Sequence, residues 1–220
     1  MVGKMPKTRI ERRRCLSHPG LSKTKLLLPV AFAVGLALLA APARAAAADA
    51  PPSCPTPPIR VVRSSGAVVD YLGSVPGIPD LCRMRRSSDG EGDFYLGVWR
   101  ADWPGAGQAY PAVRAAIHGP KGTRTDFVTR SVPGLQWIDS YTNEGVETVT
   151  VNGVPHRTLR IAHEREGIEG NTYHSVITHW LDIATGAMLK TVEHQISGQS
   201  YGPSTTWDAV RLETSRQLRR

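Results

Sequence analysis

The chain has 220 residues, enough for one domain of ordinary size, and carries 27 Lys and Arg against 19 Asp and Glu, a formal charge of +8. The excess is local: residues 1–45 hold nine of the basic side chains and a single acid, Glu11, so the rest is balanced at 18 of each sign. That balance speaks against nucleic acid or an anionic membrane surface as the partner of the main part of the chain.

Lys4, Lys7, Arg9, Arg12, Arg13, Arg14, Lys23 and Lys25 precede an uncharged apolar run, Leu26–Ala41, which passes into APARAAAADA. A basic start, a short apolar core and a small-residue exit are the marks of a secretory signal peptide, with cleavage after Ala45, Ala47 or Ala50. The run contains Pro29 and is shorter than the ~20 residues that cross a bilayer comfortably, so no transmembrane segment is expected once the leader is removed; an uncleaved anchor is the alternative. ERRRCL (11–16) resembles a twin-arginine signal, although it stands far from the apolar core. The expected division is a signal peptide over 1–45, an Ala/Pro-rich linker over 46–58 and one β-rich domain over 59–220, periplasmic or secreted in a bacterium. Cys15 leaves with the leader. Cys54 and Cys82 remain, a matched pair in an oxidising compartment, which favours a disulfide pinning PPSCPTPP to the domain.

In chain order, IRVV (59–62) reads as a strand and AVVDYL (67–72) as a strand or a short helix. SVPGIPD is a turn. LCRMRRSS (81–88) and DFYLGVWR (93–100) flank DGEG as a hairpin. One helix follows, with Pro111 at its first position and Gly119 at its stop. Seven candidate strands come next: 124–130, 135–142, 146–151, 156–163, 171–182, 187–196 and 205–213. Their short connections predict antiparallel neighbours. The fold class is α+β and β-rich: a curved antiparallel meander sheet, half-barrel-like, with one helix packed on a face.

Two hairpins can be given a register. If Asp182 faces Ala187 across DIATG, Leu181 faces Met188 and Ile177 faces Val192, and Tyr173, Ile177, Leu181, Met188, Val192 and Ile196 share the core face. Around Asn152-Gly153 a two-residue turn sets Val149 and Val151 opposite in face to Leu159 and Ile161, so either the loop is longer or both sheet faces are covered. From EGVETVTVNG through RTLRIAHEREG to THWLDIATGAMLKTVEH, the chain resembles periplasmic half-open β-barrel proteins, including the lipoprotein-carrier fold. The resemblance implies the fold; it carries over no ligand-binding residue.

Five tryptophans punctuate this sequence. Trp99, Trp103, Trp137 and Trp180 are candidates for an apolar groove between sheet and helix, with core packing as the alternative. HSVITHWLDIATGAMLKTVEH holds three histidines. In the register above, His179 and His194 lie too far apart along their strands to share an ion, and one metal-compatible corner remains, His163 and His174 with Glu164, provided the EREGIEG turn brings the two rings opposite each other. GQSYG (198–202) matches G-x-S-x-G in letters, but no histidine follows Ser200, and a flexible connection is the better account. Glu164, Glu166 and Glu169 read as solvated turn carboxylates, and DGEGD as a turn without calcium-loop spacing. No phosphate loop, dinucleotide fingerprint or zinc-finger spacing is present, and no cofactor is expected. The favoured function is an exported, non-enzymatic protein holding an apolar ligand, such as a lipid, or a cell-envelope partner in the concave sheet face. The alternatives are an exported metal- or carboxylate-dependent hydrolase and a structural accessory domain without a pocket.

Overall fold

The computed structural model describes residues 50–56, 59–132, 135–199 and 205–214. The leader with ERRRCL, the cleavage points at Ala45 and Ala47, Ser200–Gly202 of GQSYG and the tail arginines Arg216, Arg219 and Arg220 lie outside them. Strands β1 (Ile59–Arg63), β2 (Val68–Val75), β3 (Ile78–Arg86), β4 (Gly90–Tyr95) and β5 (Trp99–Arg100) lead into helix α1 (Ala106–His118). Strands β6 (Arg124–Val132), β7 (Leu135–Val151), β8 (Val154–Ile168), β9 (His174–Asp182), β10 (Met188–Ser197) and β11 (Trp207–Thr214) follow. All join one antiparallel sheet in the order β5-β4-β3-β2-β1-β11-β10-β9-β8-β7-β6. Two meanders thus meet where β1 pairs with β11, and β5 and β6 are left as free edges. The class is the β-rich α+β expected, a single sheet that does not close, with one helix among the described residues.

Curvature comes from irregularities in the ladder. Register shifts fall at Val62/Arg63, Tyr71/Gly73, Asn143/Gly145 and Met188/Lys190. Each extra residue raises local twist and bends its strand, so the sheet wraps around one apolar cluster. That cluster includes Val61, Val69, Tyr71, Met84, Phe94, Trp99, Tyr141, Ile161, Leu181, Leu189 and Trp207.

Helix α1 connects the two free edges in sequence and packs against β5, β6 and β7. It begins earlier than its proline predicted: Gly105, at φ 81°, is the N-cap, and Pro111 stands inside. The ring deprives the Gly107 carbonyl of a donor, but Gly107 lies on an open stretch where water can serve it. The buried stripe is Ala109, Ala112, Val113, Ala116 and Ile117. Polar bonds fix the helix at both sides. Arg114 Nε reaches Asp80 Oδ2 on β3 at 2.9 Å, and His118 Nε2 lies 3.3 Å from Asp80 Oδ1. Thr125 Oγ1 donates to the Ala112 carbonyl at 2.9 Å, and Asn143 Nδ2 to those of Ala116 and Gly119 at 3.0 and 2.9 Å.

Several boundaries differ from the sequence reading, each for a local reason. DFYLGVWR is two strands, because Leu96 at φ 45° and Gly97 at φ 78° turn the chain between β4 and β5. AVVDYL belongs to strand β2. Segments 135–142 and 146–151 are one strand, β7, whose bulge at Glu144 and Gly145 absorbs the break. The Asn152-Gly153 turn has two residues, Val151 facing Val154, and Val151 is buried in the core although it lies on the face opposite Leu159; each face of this hairpin sends a residue into the core, while their partners Val154 and Val146 stay half exposed. Leu181 does face Met188. One residue later the bulge shifts the ladder, so that Ile177 faces Glu193, His179 faces Thr191 and His194 faces Val176. Leu189 and Thr191, rather than Val192 and Ile196, therefore point inward, and Ile196 is exposed.

Cys54 and Cys82 are joined by a disulfide. Pro52, Cys54 and Pro55 are buried, so the described part of the Ala/Pro-rich stretch lies packed on the domain. Among the described residues, no helix is long and apolar enough to cross a membrane.

Candidate functional site

Inward positions on adjacent strands build a column of rings. Phe127 on β6 stacks over Tyr141 on β7 at 6.2 Å, Tyr141 over His163 on β8 at 4.4 Å, and His163 over His179 on β9 at 6.4 Å. Strands lie ~4.8 Å apart, so planar side chains on one face stack on direct or diagonal neighbours; the Phe127–Tyr141 and His163–His179 steps are diagonal. Tyr141 directly faces His163 in the ladder.

Beside the column sits Asp139, fully buried. Its Oδ1 accepts from His163 Nε2 and from Arg165 Nε, each at 2.7 Å, and its Oδ2 accepts from Thr129 Oγ1. Burial pushes this carboxyl up, but the hydrogen bonds and charges of His163 and Arg165 outweigh it and bring it down to about 2. Burial lowers His163, against the pull of Asp139. The neutral ring therefore carries its proton on Nε2, facing the carboxylate. Burial, with a smaller push from His163, brings His179 down to about 3. Tyr141 is raised well above its ordinary value, first by burial and then by Asp139. The Tyr141 hydroxyl, His179 Nε2 and Trp99 Nε1 are buried without a hydrogen-bond partner among the described residues.

At one end of the column the tryptophans gather. The Arg165 guanidinium lies 5.3 Å from the ring centres of both Trp99 and Trp137. Trp103 meets Trp99 edge-on at 5.9 Å and is half exposed. Trp99 also approaches His163 at 5.8 Å and Phe127 at 5.6 Å. Three of the four groove tryptophans thus share one rim. Trp180 does not join them: it points to the other face, where its Nε1 donates to Glu147 and Arg160 and Lys190 lie 5.5 and 5.3 Å from its ring.

The three residues of the metal corner are divided by the sheet. His163 faces Ile177 and His174 faces Glu166, because β8 runs on to Ile168 and the turn closes later than a His163–His174 pairing requires. His163 points inward to Asp139. Glu164 and His174 meet on the outer face, Oε1 to Nε2 at 2.9 Å, with Arg124 Nη1 on Glu164 Oε2 at 3.0 Å. Glu164 and Glu166 consequently stand on a strand; Glu169, at φ 56°, is in the turn. Among the described residues, no group of three or more His, Cys, Asp or Glu is arranged to hold a metal ion. A hollow of about 250 Å³ lies between the N-terminal arm and the turn after β9, lined by Ser53, Cys54, Ile59 and Thr214 among others.

Asp139 and Arg165 were not singled out from sequence. Their signal was available: Trp137, Asp139 and Tyr141 alternate along one strand, as do Ile161, His163 and Arg165, so a period-two reading sets an acid and a guanidinium on the apolar face.

No family model matches the chain, and no curated protein matches it. Among solved structures, it is similar to the crystal structure of the hypothetical lipoprotein YmcC from Escherichia coli K12, at 13% identity and a TM-score of 0.41, over 68% of this chain and 86% of that one.

Proposed function

We propose that this is an exported, non-enzymatic protein that holds an apolar ligand in the concave face of its sheet, in the place taken by α1 when empty. The observation that carries the reading is the pairing of an unclosed sheet with a helix that presents mostly small side chains to it. Two of the five buried helix residues are larger than alanine, Val113 and Ile117. Burying that stripe stabilises the docked helix by on the order of 5–8 kcal/mol, at about 0.8 per methyl-sized group and 1.5–3 per larger side chain, an upper bound. A ten-carbon chain gains a similar amount, about 8 kcal/mol at 0.8 per methylene. On apolar burial alone the two are comparable, as an exchange of helix for ligand needs. The disulfide and the signal-like leader agree with a destination outside the cytoplasm. The one carboxylate described in the ring column's surroundings, Asp139, is held by His163 and Arg165, which suits a binding surface better than an acid–base centre.

Native mass spectrometry on the protein purified from its exporting host tests this. A co-purifying apolar molecule of defined mass, removed by organic extraction and restored by adding it back, is the expected result. A chain that carries nothing and takes up no Nile red overturns the reading.

A further inference from the structure

We infer that Arg165, beside the indoles of Trp99 and Trp137, receives the anionic head of an amphiphile, a carboxylate or phosphate monoester carried on an apolar chain. The inference rests on the reading of the concave face as an apolar-ligand site and assigns the chemistry of that ligand's polar end.

Three features make this a site rather than a surface charge. The guanidinium is anchored: Nε is hydrogen-bonded to the buried Asp139, and the ring centres of Trp99 and Trp137 each lie 5.3 Å away. Its hydrogen bond among the described residues uses Nε, which leaves the terminal nitrogens to an incoming anion, on a side chain 25% exposed. A planar fork held this way suits bidentate recognition of carboxylate or phosphate, with little side-chain freedom left to lose on binding. The second feature is Trp99 Nε1, an N–H on one of these two indoles that is buried and has no hydrogen-bond partner among the described residues. A buried donor left unmade is costly, and an anionic oxygen is the acceptor that suits it. The third is the apolar continuation. Trp103, half exposed, leans edge-on against Trp99, and beyond Trp99 lie Phe127 and the ring column. An anion alone would use the fork and leave these rings idle; an alcohol would use the rings and leave the fork idle.

The experiment compares decanoate, decyl phosphate, decanol and inorganic phosphate on the exported, disulfide-bonded protein, by calorimetry and intrinsic tryptophan fluorescence. The expected result is that decanoate or decyl phosphate binds at least about tenfold more tightly than decanol, the size of one charge-assisted pair. In Arg165→Lys, which keeps the charge beside Asp139 but loses the planar fork, the preference falls to within about threefold. The paired variant D139N/R165Q, which removes the buried carboxylate and its guanidinium together, loses it altogether. If the native protein binds decanol as tightly as the two anions, the inference is overturned while the apolar-ligand reading stands. The same holds if Arg165→Lys keeps the full preference. If inorganic phosphate binds as tightly as decyl phosphate, the site is for a free anion and the amphiphile assignment fails. If none of the four binds, both readings fall. Should either variant lose its β-sheet circular dichroism, the ratio measured on the native protein decides alone.

Discussion

Asp139 shows how much one side chain can hold. It accepts from Thr129, His163 and Arg165 and so joins β6, β7 and β8 inside the concave face. Asp139→Ala leaves a partly exposed guanidinium and a buried imidazole without their acceptor, and urea denaturation should show a loss of about 2 kcal/mol or more. The pH dependence follows chiefly from His179, and His163, also lowered by burial, acts in the same direction. Folded, His179 sits at about 3; unfolded, the same ring titrates near ~6.5. The unfolded chain then binds a proton that the folded chain refuses, so stability falls as pH drops from about 6.5 toward 3. Asp139, at about 2 when folded against ~3.9 unfolded, adds its own loss only below about pH 4. The urea midpoint should decline between about pH 6.5 and 4.5, and His179→Phe should flatten that decline; a native profile level across the range contradicts the buried neutral ring. None of this was legible from the histidines alone. The sequence shows which rings alternate along a strand, but the partner of His163 is set by the β7–β8 register, which a bulge at Glu144 moves by one residue.

Elements were more legible than their pairings. The single helix, the hairpins and the antiparallel meander follow from period-two runs cut by Gly, Pro and Asn. Register survives only as far as the first bulge: Leu181 faces Met188 as the DIATG turn demands, and two residues on the partner has slipped. Bulges leave little trace in composition, which is why Val192 and Ile196 read as core and Leu189 and Thr191 did not. The glycines allow a test of the N-terminal arm. Gly153 and Gly186 both have positive φ, at 78° and 71°, but a Cβ on Gly153 meets nothing within 4 Å, while one on Gly186 would overlap the Ser53 carbonyl oxygen. Gly153→Ala should cost about 1 kcal/mol for the backbone alone. Gly186→Ala should cost clearly more and speed proteolysis before Cys54; equal costs would mean that the arm does not hold that close approach. The helix latch is testable in the same way. Asp80→Asn weakens the hold on Arg114 and His118, so it should loosen α1 and, if a ligand competes with the helix, raise affinity for Nile red.

At the scale of the whole molecule, two meanders meet at β1 and β11, and the helix that links them packs against the strands near the two free edges, β4 and β5 on one side and β6, β7 and β8 on the other. This topology was legible only in outline, since pairing of the first strand with the last is a contact across almost the full domain, and nothing local in IRVV or WDAVRLE announces it. The disulfide pins the arm to β3 across a sequence separation of 28 residues; reducing it should cost on the order of 3–4 kcal/mol, read as a lower melting temperature without loss of β-sheet signal. The account as a whole turns on α1 giving way to an apolar guest. Amide hydrogen exchange, followed on the oxidised protein with and without decanoate, measures that directly. The prediction is faster exchange over Ala106–His118 in the bound state, with slower exchange in β7 and β8 where the guest lies. Unchanged exchange in α1 at saturating decanoate, with the guest bound, would contradict it.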